Sequence, residues 1–172
     1  VFSENFINPS YGIDANTPGC FYNFSLGDVE FFMLDCRFYR QNPEEYENPT
    51  MLGPSQKTWL KNSLSKSDAT FKVIASSVPV VLDAKGDSKD TWNGFKQERE
   101  EILSFIEENT IEGVFFISAD RHRSDAWKIK RSGAASYDFY EFESSKLTNI
   151  HTHEKKKKKF DNCLYSYNKK CS

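Results

Sequence analysis

The sequence predicts an α/β fold with a largely parallel sheet, and three observations lead there. Short apolar runs at 29–34, 71–75 and 114–118 read as buried strands, being too short for helices and flanked by turn residues. Amphipathic stretches separate these runs, as helical crossovers between parallel strands require. The closing segments alternate with period two, which adds a more antiparallel part.

Residues 1 to 19 scatter Asn, Pro, Gly and Ser without a period and read as loop. In FYNFSLGDVEFFMLD, Tyr22, Phe24 and Leu26 alternate with Asn23 and Ser25, and Gly27-Asp28 is a turn signal. Val29 to Leu34 is apolar apart from Glu30, so a hairpin is expected whose second strand is buried and stops at Asp35. RFYRQNPEEYENPTMLG, with two prolines, reads as a polar loop. GPSQKTWLKNSLSKS predicts a helix, with Pro54 near its first turn and Trp59, Leu60 and Leu64 on one face. TFKVIASSVPVVLD is a strand that Pro79 halts by removing a backbone donor. DAKGDSKDTWNG is a polar loop. A second helix is expected from Phe95 to Glu108, with Phe95, Ile102, Leu103, Phe105 and Ile106 facing the core. A strand follows over Gly113–Ala119. AWKIKR and YDFYEFESS are further strands, HTHEKKKKKF is an exposed charge run, and CLYSYNKKCS supplies a last strand fragment.

Bulk composition narrows the class. A chain of 172 residues suffices for one domain with a real core. An aromatic content of 15% excludes a disordered chain, and a formal charge of −2 speaks against a protein that coats nucleic acid; no nucleic-acid-binding motif is evident. No run approaches the about 18 apolar residues of a membrane span, and VFSENFINPS has neither the basic nor the apolar region of a signal peptide. The cysteines at 20, 36, 163 and 171 form no C-x-x-C pair, which speaks against a zinc ribbon. Cys36 reads as a buried free thiol, whereas Cys20–Cys163 and Cys163–Cys171 bridges are both open.

Three predicted strands end in polar clusters: Asp35-Cys36-Arg37, Ser76-Ser77 and Asp120-Arg121-His122. Ligands of open α/β sheets collect at the carboxyl ends of strands. Carboxylate and imidazole together suit Zn, Fe or Mn, and carboxylate also suits Ca or Mg. Neighbouring guanidinium groups match phosphate oxygens in a bidentate way. Metal-assisted hydrolysis of a phosphate ester is the chemistry these types combine to give. With 28% of the chain charged, a solvated turn is the plainer alternative.

Several segments lie in an order that resembles the PhoD-like alkaline phosphatases, members of the calcineurin-like metallophosphoesterases. They are LDCRFYR (34–40), QKTWL (56–60), FKVIASSVPV (71–80), WNGFKQERE (92–100), VFFISADRHRSD (114–125) and YEFESSKLTNIHTH (140–153). The most specific are S-S-V-P, the W-x-G-[FY]-x-x-E-R pattern and A-D-R-H, which is similar to the family's G-D-x-H. The resemblance implies a two-sheet sandwich flanked by helices, here incomplete, with residues 1–172 a partial domain from the C-terminal half of a larger enzyme. Neither a G-D-x-x-Y nor a W-D-D-H-D stretch is present, so the chain alone is expected to be inactive.

By the same resemblance, the cofactors are iron and calcium, with Zn or Mn as substitutes, and the substrate is a small-molecule or polymeric phosphate ester. Location is secreted, periplasmic or cell-surface; oligomeric state is open. Asp120 and His122 would be metal ligands, His122 alternatively touching the phosphate. Arg121 would join His122 in catalysis, and Arg123, Ser76 and Ser77 are candidate substrate contacts, although the serines equally suit a hydrogen-bonded turn. Asp35 and Arg37 would form a buried ion pair, Trp92 packing, and Arg99 a helix-anchored salt bridge. His151 and His153 suit a structural role or a metal pair. Two departures stand out: Ala119 replaces the usual Gly, and lysines fill 155–159. A non-catalytic relative that binds a phosphorylated ligand is the alternative; a metal-free module whose lysine run meets an anionic partner is a third.

Overall fold

The computed structural model describes residues 2–5, 7–14, 16–132, 137–145 and 161–167. A short helix, α1 (Phe2–Asn5), precedes a hairpin of β1 (Tyr22–Leu26) and β2 (Val29–Met33). Gly27 opens its two-residue turn at φ 58°, the left-handed conformation that a type II′ turn demands there. Then come α2 (Gly53–Lys66), β3 (Phe71–Ala75), a 3₁₀ turn (Trp92–Phe95), α3 (Lys96–Glu108), β4 (Val114–Ser118), β5 (Ser124–Ile129), β6 (Phe139–Ser144) and β7 (Cys163–Tyr167). The strands and the two long helices follow the expected order, whereas α1 lies in a stretch read as loop and a 3₁₀ turn occupies 92–95 ahead of α3.

The strands make one mixed seven-stranded sheet in the order β1-β2-β3-β4-β6-β5-β7. β2, β3, β4 and β6 run parallel, while β1, β5 and β7 pair antiparallel to their neighbours. Met33 pairs with Ala75, Ala75 with Ile117, and Ile117 with Phe142. Four parallel strands thus stop at one level, and their carboxyl ends form one rim.

A single apolar cluster joins the helices to one sheet face. It unites Leu60 and Leu64 of α2 and Ile102, Leu103 and Ile106 of α3 with Phe32, Ile74, Phe116, Trp127 and Phe139. Leu52, at the N-cap of α2, has no capping side chain, and Thr50 Oγ1 accepts from Gly53 N at 2.7 Å instead. The buried Glu98 carboxylate of α3 sits just before the helix, accepting from Met51 N at 2.6 Å and Leu52 N at 3.2 Å. An acid near the positive end of a helix macrodipole stabilises it. On the other sheet face Phe24 stacks on Phe31 at 5.0 Å, and Phe115 meets Phe142 edge-on at 5.9 Å. Phe142 there remains 50% exposed. The described residues thus form one helix-covered sheet, and the face turned away from the helices is apolar.

Cys20, Cys36 and Cys163 carry free thiols, so the Cys20–Cys163 bridge is absent; Cys171 lies outside the described residues. Cys36 is buried as expected, and burial raises its thiol pKa. No helix among the described residues is long and apolar enough to cross a membrane.

Candidate functional site

Each parallel strand delivers a different group to the rim. After β2, Asp35 folds its carboxylate back onto the chain: Oδ1 accepts from Arg37 N and Phe38 N, both at 2.9 Å, and Oδ2 from Cys20 N at 2.9 Å. The buried Gln56 of α2 grips the same residue through its backbone, accepting from Asp35 N at 2.8 Å and donating to Asp35 O at 2.9 Å. The expected buried Asp35–Arg37 ion pair does not form. Backbone N–H groups already consume the carboxylate, and the exposed Arg37 reaches Asp90 at 2.7 Å instead.

After β3, Ser76 is buried and serves the turn. Its hydroxyl donates to Val78 O at 2.7 Å and accepts from Trp92 Nε1 at 3.1 Å. Trp92 therefore packs, as expected, and also anchors this turn. Ser77 is exposed, next to the contact of the Cys36 thiol with Ser76 Oγ at 3.5 Å. Arg99 makes its salt bridge on the helix, to Glu100 at 3.9 Å, and its Nε also donates to Val80 O at 2.6 Å.

After β4 the backbone enters an unusual turn. Asp120 and His122 both take positive φ, 81° and 56°, although neither is glycine. Such backbone costs energy and concentrates at functional sites. Ala119 has no positive φ, so the family's glycine is not needed there; the left-handed steps fall on its neighbours. His122 N donates to Ser145 Oγ at 2.7 Å, which ties the turn to the end of β6. The His122 side chain is exposed and has no hydrogen-bond partner among the described residues. The Asp120 carboxylate is 24% exposed and meets Lys85 Nζ at 2.5 Å.

The two arginines turn toward carboxylates under the rim. Arg121 Nη1 lies 2.8 Å from Asp125 Oδ2 and 3.3 Å from Glu143 Oε2, with its guanidinium over the Trp127 ring. Arg123 Nε lies 2.7 Å from Asp125 Oδ2, at ion-pair distance but outside hydrogen-bond alignment, and its Nη2 donates to Ser166 Oγ. Burial pushes the Glu143 pKa up to about 7, helped by Asp125 and Glu141 and opposed by Arg121 and Trp127. Beside it the fully buried Glu141 accepts from Val80 N at 2.8 Å, Val81 N at 2.6 Å and Ser118 Oγ at 2.5 Å. Burial raises its pKa, while these donors and Arg99 pull the other way.

The loop read as merely polar, 83–94, adds charge above the rim. Asp90 receives Arg37 and Arg40, and Arg37's hydrogen bond, with help from Arg40, holds its pKa down to about 2. Lys85 and Asp90 were not legible as site neighbours, since neither carries a motif or a period, whereas Asp125 and Glu143 lie in motif segments without being assigned to the site. The structure thus gathers Asp120 and His122 on one strand end, beside the Ser76 turn. It directs Arg121 and Arg123 beneath that end. His151, His153 and the lysines at 155–159 lie outside the described residues. Among the described residues, no three His, Cys, Asp or Glu side chains form a metal-holding group.

The sequence model of the PhoD-like phosphatase family matches residues 9–171. The chain belongs to the PhoD-like phosphatase family. It is 30% identical over 121 residues to alkaline phosphatase D of Bacillus subtilis (strain 168), an alignment covering 59% of this chain and 21% of that protein. A solved structure of PhoD is similar at a TM-score of 0.69 and 23% identity, over 84% of this chain and 32% of that one. At that identity the likeness establishes the fold. The chain therefore spans about a fifth to a third of the length of these relatives.

Proposed function

We propose that this PhoD-like chain supplies one carboxylate and one imidazole to the metal centre of a phosphate-ester hydrolase. The observation that carries the reading is the pair of positive-φ residues, Asp120 and His122, at the shared carboxyl rim of four parallel strands. A turn that holds two potential ligands in costly backbone geometry is better explained by chemistry than by folding.

The donors fit a metal in kind. Asp120 already attracts a cation, and the His122 side chain has no competing partner among the described residues. They make only part of a coordination shell, so further ligands are required from elsewhere in the protein. Iron and calcium are the ions this reading assigns, with Zn or Mn able to substitute. When bound, such an ion supplies an activated water and polarises the phosphoryl oxygen.

The residues of this chain do the holding. Arg121 and Arg123, clamped by Asp125, fix the turn from below; Ser145 fixes it from the β6 side. Ser76 shapes the neighbouring strand end, and Ser77, exposed beside it, is the serine available to a substrate. The substrate would be a phosphomonoester or phosphodiester, small or polymeric.

The test is hydrolysis of p-nitrophenyl phosphate by a polypeptide that includes this chain together with the remaining ligands. Chelation, Asp120→Asn and His122→Ala are each expected to lower the rate by at least about a hundredfold, the scale of losing a major electrostatic contribution. Unchanged turnover in the Asp120→Asn/His122→Ala double variant would remove both residues from the mechanism. Tight binding of a phosphorylated ligand without turnover would favour the non-catalytic reading.

A further inference from the structure

The loop that carries Lys85 is internally built. Asn93 is its hub: Nδ2 donates to Asp83 Oδ1 at 2.9 Å and Gly86 O at 2.7 Å, and Oδ1 accepts from Asp83 N at 2.9 Å. Gly86 N closes the turn onto Asp83 O at 2.9 Å. Asp83 and Gly86 both take positive φ, 62° and 66°. At the far end of the loop, Arg37 and Arg40 hold Asp90. Lys85 is thereby carried over the β4 end, with Nζ 2.5 Å from Asp120 Oδ2 and 3.9 Å from Asp90 Oδ2.

That placement bears on the carboxylate assigned to the metal. An ammonium at 2.5 Å occupies oxygen lone pairs that a coordinating cation needs. Two cations on one carboxylate also repel one another at short range. Asp90 offers the ammonium a second anion on the same loop, so Lys85 can leave Asp120 without losing a partner.

We propose that Lys85 competes with the metal for Asp120, its ammonium covering the carboxylate in the metal-free chain and shifting toward Asp90 when a metal ion binds. The inference rests on the metal-site reading of Asp120 and His122 and adds to it a residue that sets metal occupancy. Lys85 is a positioning residue in this account, since it acts through Asp120. Because it is 36% exposed, its replacement leaves the core intact.

The experiment is a Mn²⁺ titration of a 15N-labelled polypeptide that includes this chain together with the remaining ligands, read by paramagnetic broadening of amide signals at 120–122. Lys85→Met keeps the aliphatic stem and removes the charge. It is expected to lower the Mn²⁺ midpoint by about three- to tenfold, the scale of losing a partly exposed ion pair together with repulsion of the incoming ion. Lys85→Arg, which keeps the charge, is expected to stay within about twofold of the parent. Asp120→Asn is expected to abolish the local broadening. Local broadening with the same midpoint in parent and Lys85→Met would overturn the competition and leave the metal reading standing. No broadening at 120–122 in either protein would sink both.

Discussion

At the end of β2, Asp35 turns its carboxylate onto the backbone; at the end of β4, Asp120 turns its carboxylate to a lysine. Both follow a buried parallel strand, and both precede a basic or imidazole side chain two residues on. Asp35 accepts three backbone N–H groups, while Gln56 holds its own N–H and carbonyl. Asp120 accepts from a long, partly exposed side chain and sits at φ 81°. A carboxylate whose lone pairs are spent on backbone belongs to the fold. One held in strained backbone against a lysine is the one the proposed metal site would draw on.

The contrast can be broken first at its structural end. Asp35→Ala leaves three backbone donors without their acceptor and is expected to destabilise the chain by about 2–4 kcal/mol, measured by urea denaturation. A loss below about 0.5 kcal/mol would make Asp35 as dispensable to folding as an exposed charge.

A middle-sized effect comes from the support beneath β4. Burial raises the Glu143 pKa to about 7, above the ordinary glutamate value of 4.5. Between these values the folded state binds more protons than the unfolded state, so stability falls as pH rises from about 4.5 through about 7. Below that window both states are protonated and the effect vanishes. Asp90 has the opposite sign: held at about 2 against 3.8, it contributes stability that is lost as pH falls through that interval. Denaturation midpoints between pH 4.5 and 8 should slope downward in the parent and flatten in Glu143→Gln. A slope that survives the substitution would move the effect to another group.

The smallest effect has the most informative sign. Asp120→Gly relieves a non-glycine residue at φ 81° and is expected to stabilise the chain by about 0.5–1 kcal/mol while removing the proposed ligand. Gain of stability at 120 beside loss at 35 would separate the two aspartates as function and fold. Destabilisation at both would erase the distinction.

Much of this architecture was legible in the chain. Continuous apolar runs marked the parallel strands, and the amphipathic stretches marked α2 and α3. Ordered segments, among them A-D-R-H at 119–122, identified the family. Lys85 and Asp90 were invisible because they lie in a polar loop whose position depends on Asn93 and on arginines some fifty residues away. Arg37 was assigned to Asp35 through the family resemblance, whereas the backbone claims that carboxylate.

Segment 139–144 marks where sequence stops and tertiary structure begins. Its alternation specifies a strand with two unlike faces, because successive side chains point to opposite sides. Ordinary hydrophobicity would turn Tyr140 and Phe142 inward and Glu141 and Glu143 out. The protein does the reverse: both glutamates are buried, and Phe142 is half exposed. The helix side of the sheet holds donors that need those carboxylates, Val80 N, Val81 N, Ser118 Oγ and Arg121. The sequence by itself determined the strand and its period. Only the assembled sheet, by bringing distant donors to one face, decided which side was the inside.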